Sequence, residues 1–532
     1  MVQDKLEKQK INFLYLFLTL ISCLAVLFPI LWFGFGSDQG LYSYGAWLWR
    51  KFGLIPYLHC FDHNFPGIFL IHYWAQTILG ESITGLRFFD LIWQVFTITM
   101  LYLISSFLAE SPRAGFFSAL FYSIFYVQLG PWDTAQRDGF LLLIYLLAFW
   151  LVILHQGILS RIFAGIILGF GFLIKPIALI LIGIFSIQIL TDKKLKWRPG
   201  LFFLFSSSLP FLFIILYYYH KSALDYLWEA IFQYSLGSYS TDLFSSSSAT
   251  MRGIFLVRFL DNNLLMILGG LLVFIFRKKL GVEKKNFILW LLMIFLGVYF
   301  GYWVQGKFYF YQQVPVWGIL AIFSGIGFSV CLDFISEKWN IQNKQKSISF
   351  CFSAILIIVS FALVSPENWK FIAKILPNSP SSGQRFYPFY EICALAGDFL
   401  RENTKQQDKI QVWGGEAIIN YLAKRQAPSR FPSTLHLIIN PGIQNKSLVQ
   451  IKFARELLKS LENHPPIYFL VETHTHIGFG VSSDKESLIK EFPEIYNFLL
   501  QNYYLEYKMG FIEFYRLKSS LKDLPQPPQK PE

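Results

Sequence analysis

The sequence predicts a polytopic α-helical membrane protein with interfacial helices on its outer face and a C-terminal extracytoplasmic α/β domain. Three observations predict it. The 532 residues are 54% hydrophobic and 15% charged, with mean hydropathy +0.44, too apolar for a soluble chain of this length. About eleven runs of roughly 17 to 25 nearly uncharged residues are each long enough to cross hydrocarbon as a helix. Near residue 365 the composition turns to mixed charge and alternating periodicities.

The predicted spans are 11–33, 83–108, 114–130, 138–154, 161–174, 176–190, 200–218, 262–276, 286–303, 314–335 and 347–364. The basic start MVQDKLEKQK precedes an apolar run too long for a signal peptide and without a small-residue cleavage site, so the first span reads as uncleaved. With the N-terminus inside, segments such as TDKKLKWRPG and FRKKLGVEKK put about 17 Lys and Arg on the inner side, against about 8 in longer outer loops. That asymmetry sets the expected orientation: cytoplasmic N-terminus and extracytoplasmic C-terminal domain.

The first loop (34–82), the PWDTAQRDG loop, the Lys175 turn, the 219–261 loop and QGKFYFYQQ then emerge outside. In the first loop, LYSYGAWLWRKFG and FPGIFLIHYWAQTILG are apolar and aromatic but short, as suits helices lying in the interface. The serine-rich stretch 234–250 reads as a mobile loop. The expected domains are 1–364 in the membrane, 365–520 outside and a disordered tail at 521–532. The outer domain reads in order as a helix (YEICALAGDFLREN), a strand (KIQVWGG), helices (EAIINYLAKR, VQIKFARELLKSLEN), a strand (IYFLVET), a helical stretch (SLIKEFPEIYNFLLQNY) and a strand pair (LEYKMG, FIEFYRLK).

The formal charge of +12 is dispersed through short loops rather than gathered into an aromatic-laced stripe, which argues against nucleic acid as a partner. The five cysteines have no metal-site spacing, although Cys60 and Cys393 could meet outside the membrane. There is no Gly-rich phosphate loop, Ser-His-Asp order or paired-cysteine motif. An enzyme working outside would lack a nucleotide supply and need a donor already attached to lipid.

Charged groups near the membrane are candidates for function because they are costly there. Asp38, in GSDQGLYSY, is either a solvated helix cap or a general base held where a lipid headgroup and an acceptor meet. Asp133, Arg137 and Asp138 open a later span, where Asp138 is either a first-turn carboxylate favoured by the helix dipole or part of a polar site. Lys175, within GFGFLIKPIAL, either snorkels at a turn broken by Pro176 or pairs with a lipid phosphate. Lys307, Tyr309, Tyr311, Gln312 and Gln313 are interface anchors or site residues. Asp62 and His63, with Asn64 and Pro66, form a polar turn. His474 and His476 read as loop composition. No metal ligand is assigned, and a divalent cation stays open as a cofactor.

Taken in order, these segments resemble the C-type membrane glycosyltransferases, in the branch of dolichyl-phosphate-mannose protein mannosyltransferases and aminoarabinose lipid A transferases. An acidic residue follows the first span (Asp38), and a DHKPPG-like element follows it (DHNFPG, then Arg87). Next come AQRDG opening a span, the turn GFGFLIKPIAL, and a GRKFYHYY-like loop (GKFYFYQQ). Asn64 and Phe65 stand where the family often has Lys-Pro, and Gln312 where bacterial relatives often have His.

The resemblance implies inverting transfer of one sugar from a polyprenyl-phosphate donor to a hydroxyl of a lipid, glycan or protein. It implies Asp38 as base, with Asp138 orienting the acceptor. Lys175, Lys307 and Arg137 would take the donor phosphate, and Tyr42, Tyr44, Asp62, His63, Tyr309, Tyr311 and Gln312 would contact substrate or lipid. The alternative is a lipid or sugar transporter without catalysis, though no internal repeat is visible.

Overall fold

The structure is a computed structural model that describes residues 12–155, 157–191, 197–239, 263–276, 282–306, 309–338, 388–438, 446–474 and 484–518. Among them, six helices are long and apolar enough to cross a membrane: Phe13–Trp32, Ile83–Ala109, Arg137–His155, Arg198–His220, Lys285–Gln305 and Phe310–Lys338. Shorter apolar helices occupy Gly67–Leu79, Ile158–Ile174, Ala178–Thr191 and Asn263–Ile275. Each predicted span up to residue 335 coincides with a helix, including Pro112–Gln128, because long uncharged runs can satisfy their backbone only internally. The predicted span 347–364 and the tail 521–532 lie outside the described residues, as does most of the 219–261 loop. The protein is an integral, multi-pass membrane protein.

The chain divides into two compact units. One comprises 1–33, 82–217 and 243–382; the other comprises 34–81, 218–242 and 383–532.

The first unit is all helical. Helices Ile83–Ala109, Pro112–Gln128 and Val314–Lys338 pack against one another at its centre. Small residues permit this approach, as expected where helix association rests on close packing. A Cβ on Gly325 would lie 2.1 Å from the Ser118 hydroxyl and 2.4 Å from the Ala114 carbonyl oxygen. Between helices Pro112–Gln128 and Ile83–Ala109, a Cβ on Gly115 would lie 2.2 Å from the Ser106 hydroxyl.

The second unit joins the first loop to the α/β domain. Strands β1 (Ile410–Trp413), β2 (Tyr468–Glu472), β3 (Tyr503–Met509) and β4 (Ile512–Leu517) form a sheet in the order β1-β2-β4-β3. Strands β1 and β2 run parallel, and the other two pairings are antiparallel. β1 and β2 are buried throughout, as befits parallel strands covered by helices on the sheet faces. Helix Ser37–Phe52 packs on the short helix Ile418–Ala423 so closely that a Cβ on Gly40 would sit 2.5 Å from the Ile418 Cβ. Tyr44 Oη accepts the Ala427 amide at 2.8 Å, and the Ser37 hydroxyl donates to Glu416 at 2.7 Å. Cys60 and Cys393 are both buried free thiols.

Candidate active site

In the second unit, Asp38 occupies the first turn of helix Ser37–Phe52, where the helix dipole favours a carboxylate. The start of this helix is held by Gly36, whose amide donates to Gln39 Oε1 at 2.6 Å, and by the Ser37–Glu416 bond. Its end is a left-handed turn at Gly53, with Arg50 and Lys51 in the last turn complementing the carbonyl end. From Ser37 to Leu48 every residue is buried except Asp38, which is half-buried. Asp38 is thus the one side chain over three turns that reaches solvent.

The aromatics that follow Asp38 are built into the unit. Tyr42, fully buried, accepts a hydrogen bond from Asn64 Nδ2 at 3.0 Å and meets Phe69 and His72 edge-on. Tyr44 is buried against Ala427, and of the aromatics on this helix Phe52, in the last turn, is exposed. Tyr42 and Tyr44 therefore act in this unit as packing groups that hold the Asp38 helix.

Asp62 and His63 lie in the turn between helices Ser37–Phe52 and Gly67–Leu79, and the fold brings His436 onto them. His63 Nδ1 is 3.3 Å from His436 Nε2 and 3.2 Å from Asp62 Oδ1, while His436 Nε2 is 3.8 Å from the same oxygen. Burial pushes the Asp62 carboxyl up, but hydrogen bonds and charge from His436 and His63 outweigh it and hold the group well below the usual carboxylate range. A second set of ligand-type atoms, from Glu472, His474 and Asp484, lies within 4.8 Å of one another beyond the end of β2. There the Glu472 carboxylate already accepts the Gly415 and Glu416 amides at 3.0 and 2.9 Å.

In the first unit, Asp138 opens helix Arg137–Phe149 and Lys175 follows the end of helix Ile158–Ile174, at the Pro176 break. The two meet as a buried ion pair with Lys175 Nζ 2.6 Å from Asp138 Oδ2. Lys175 Nζ also lies 5.6 Å from the centre of the Tyr311 ring, and Arg137 donates to Tyr311 Oη at 3.4 Å. Tyr309 stacks on Tyr311 with ring centres 5.6 Å apart. Asp138 lines a narrow crevice together with Tyr145, Tyr302, Gln305, Gln312 and Pro315. Gln313 Nε2 donates to Tyr302 Oη at 2.9 Å, and Gln312 turns a buried, unpartnered Oε1 among these residues. Lys307 lies outside the described residues.

Arg87 and Asp90, inside an apolar span, brace the turn that precedes this site. The Arg87 guanidinium donates to the carbonyls of Phe33 and Pro131 at 3.2 and 2.7 Å, and to the Thr134 hydroxyl at 3.0 Å. Asp90 Oδ1 accepts from Gln94 and from Tyr126 Oη at 3.0 and 2.8 Å, and that hydroxyl accepts the Ala135 amide at 3.1 Å. The turn before Arg137 and Asp138 is therefore tied to one face of helix Ile83–Ala109. The sequence signal was available: two charges three residues apart in an apolar run should face a protein interior.

Residues 62–219 match the dolichyl-phosphate-mannose-protein mannosyltransferase family. A comparison with curated protein sequences gives no match. Among solved structures, ArnT from Cupriavidus metallidurans bound to undecaprenyl phosphate is similar, with TM-score 0.53 and 12% identity over 94% of this chain and 97% of that one. The chain has the C-type glycosyltransferase fold. The Archaeoglobus fulgidus oligosaccharyltransferase, solved in complex with zinc and sulfate, is also similar, with TM-score 0.50 and 13% identity over 96% of this chain and 74% of that one. Within this C-type fold, the stretch that matches the mannosyltransferase family contains Asp62, Arg87, Arg137, Asp138 and Lys175.

Proposed function

We propose that the protein transfers one sugar from a polyprenyl-phosphate carrier to an acceptor hydroxyl at the outer face of a bacterial inner membrane, with inversion at the anomeric carbon. The observation that carries the reading is the Lys175 ammonium, 6% exposed and fixed against Asp138, which itself lines the crevice. A buried ammonium beside Arg137 and the Tyr311 ring suits a phosphate that arrives attached to lipid. ArnT's undecaprenyl phosphate is a ligand of the same class.

In this mechanism the acceptor oxygen attacks the anomeric carbon as its proton passes to the Asp38 carboxylate. The bond from that carbon to the phosphate oxygen breaks, and the phosphate goes from one negative charge to about two. Lys175 and Arg137 offset the added charge, and fixed cations in a water-poor site do this without reorganising. Asp138 holds Lys175 in place and orients the acceptor side of the crevice. Tyr309, Tyr311 and Gln312 flank the sugar and phosphate. Tyr42 and Tyr44 contribute by fixing the helix that carries Asp38.

The test is release of polyprenyl phosphate from radiolabelled polyprenyl-phosphate sugars by purified protein, with a panel of lipid, glycan and peptide acceptors. Acceptor-dependent release supports transfer. A chain that moves labelled donor between leaflets of vesicles and never releases the carrier is a transporter instead.

A further inference from the structure

We propose that Asp62, His63 and His436 form a binding site for a divalent transition cation of the zinc type. Tetrahedral zinc with bonds of about 2.0–2.1 Å places its ligand atoms about 3.3–3.4 Å apart. The three atoms here, Asp62 Oδ1, His63 Nδ1 and His436 Nε2, form a triangle with edges of 3.2, 3.3 and 3.8 Å. Closing the longest edge by a few tenths of an ångström gives one face of such a tetrahedron. Two ring nitrogens and a carboxylate oxygen are a zinc donor set, and the fourth position is left for water or another oxygen.

The surroundings are those of a held ligand set. Asp62 is buried and oriented by Asn64, which donates to Oδ1 from its backbone at 3.2 Å and from Nδ2 at 3.0 Å, and to Oδ2 at 3.2 Å. Asn64 is fixed in turn by Tyr42 Oη, which accepts from Nδ2 at 3.0 Å, and by Tyr57 Oη, which donates to its carbonyl at 2.6 Å. Such supporting bonds set the direction of a ligating carboxylate. His436 is 5% exposed, and its ring packs edge-on against Phe61 at 4.9 Å and Tyr234 at 5.7 Å. Tyr234 Oη donates to the His436 carbonyl at 3.0 Å, and Ser235 Oγ donates to the His63 carbonyl at 3.1 Å. Both histidine backbones are thus anchored to the same short segment. The cation would cross-link residues 373 positions apart in the chain, pinning the first loop to the α/β domain within one unit. This inference stands without the transfer reading.

The experiment uses the full chain in detergent, stripped with EDTA, desalted and reloaded with zinc or cobalt. Wild type should retain about one zinc per chain by mass spectrometry of the metal. Its cobalt form should show the intense visible bands of a tetrahedral site. His63→Gln and His436→Gln should each weaken zinc binding at least about 100-fold and abolish the bands. EDTA should lower the melting temperature of wild type and leave both variants unmoved. If His436→Gln does not give a monodisperse protein, the half-buried His63→Gln decides. Wild type that retains no zinc, or a His63→Gln variant that binds it as wild type does, overturns the proposal.

Discussion

Breaking the Lys175–Asp138 pair should cost the protein more than removing it. At 2.6 Å and an effective dielectric constant near 20, two unit charges attract by about 6 kcal/mol, most of which offsets the loss of hydration. Lys175→Met leaves the Asp138 carboxylate buried at 1% exposure without its cation, and Asp138→Asn leaves a buried ammonium. Each single change should therefore destabilise by about 3–5 kcal/mol. The double variant, Lys175→Met with Asp138→Asn, strands no charge and should lose less than about 2 kcal/mol, an interaction energy of several kcal/mol. Equilibrium unfolding of all four proteins in mixed dodecyl maltoside and dodecyl sulfate micelles measures the cycle. Losses that add to within about 0.5 kcal/mol would show the two groups to be independent and would refute the pairing. Carrier release should fall in every variant lacking Lys175, the double variant included, because stability returns there and the cation does not.

Arg87→Met should strip three buried carbonyls and hydroxyls of their donor and destabilise by at least about 3 kcal/mol in the same unfolding assay, with Arg87→Lys rescuing little because an ammonium lacks the planar fork. Gly325→Val should force apart the Pro112–Gln128 and Val314–Lys338 helices, costing about 1–3 kcal/mol and visible as a lower melting temperature. In metal-free protein, the depressed Asp62 carboxyl stabilises the fold above its unfolded pKa of about 3.9, and that stabilisation fades as pH falls below this toward the folded value. Wild type in EDTA should therefore lose stability more steeply than Asp62→Asn below about pH 4, as read by tryptophan fluorescence; parallel curves would remove the Asp62 contribution.

The membrane helices were legible because an uncharged run of sufficient length leaves the backbone no other way to satisfy itself in hydrocarbon. The α/β domain was legible for a related reason: IQVW and YFLVE are short apolar runs, and LVQIKFARELLKSLEN repeats its apolar residues at helical spacing. Asp38, Asp138 and Lys175 stood out as charges beside apolar sequence. Their partners did not. Nothing in local sequence ties Gly40 to Ile418, Tyr44 to Ala427 or His63 to His436, because those contacts depend on how distant segments pack. Nor does local sequence show that Tyr42 and Tyr44 are buried and brace the helix that carries Asp38. Arg87 and Asp90 were visible but hidden in plain sequence by the span around them.

The most direct test of the account is Asp38→Asn. The substitution keeps the size of the side chain and its place in the first helical turn, and removes only its capacity to take a proton. Single-turnover release of polyprenyl phosphate should fall by about 100-fold or more, while binding of the labelled donor stays within a factor of about two of wild type. Wild-type release from this variant would contradict the assignment of Asp38 as the base.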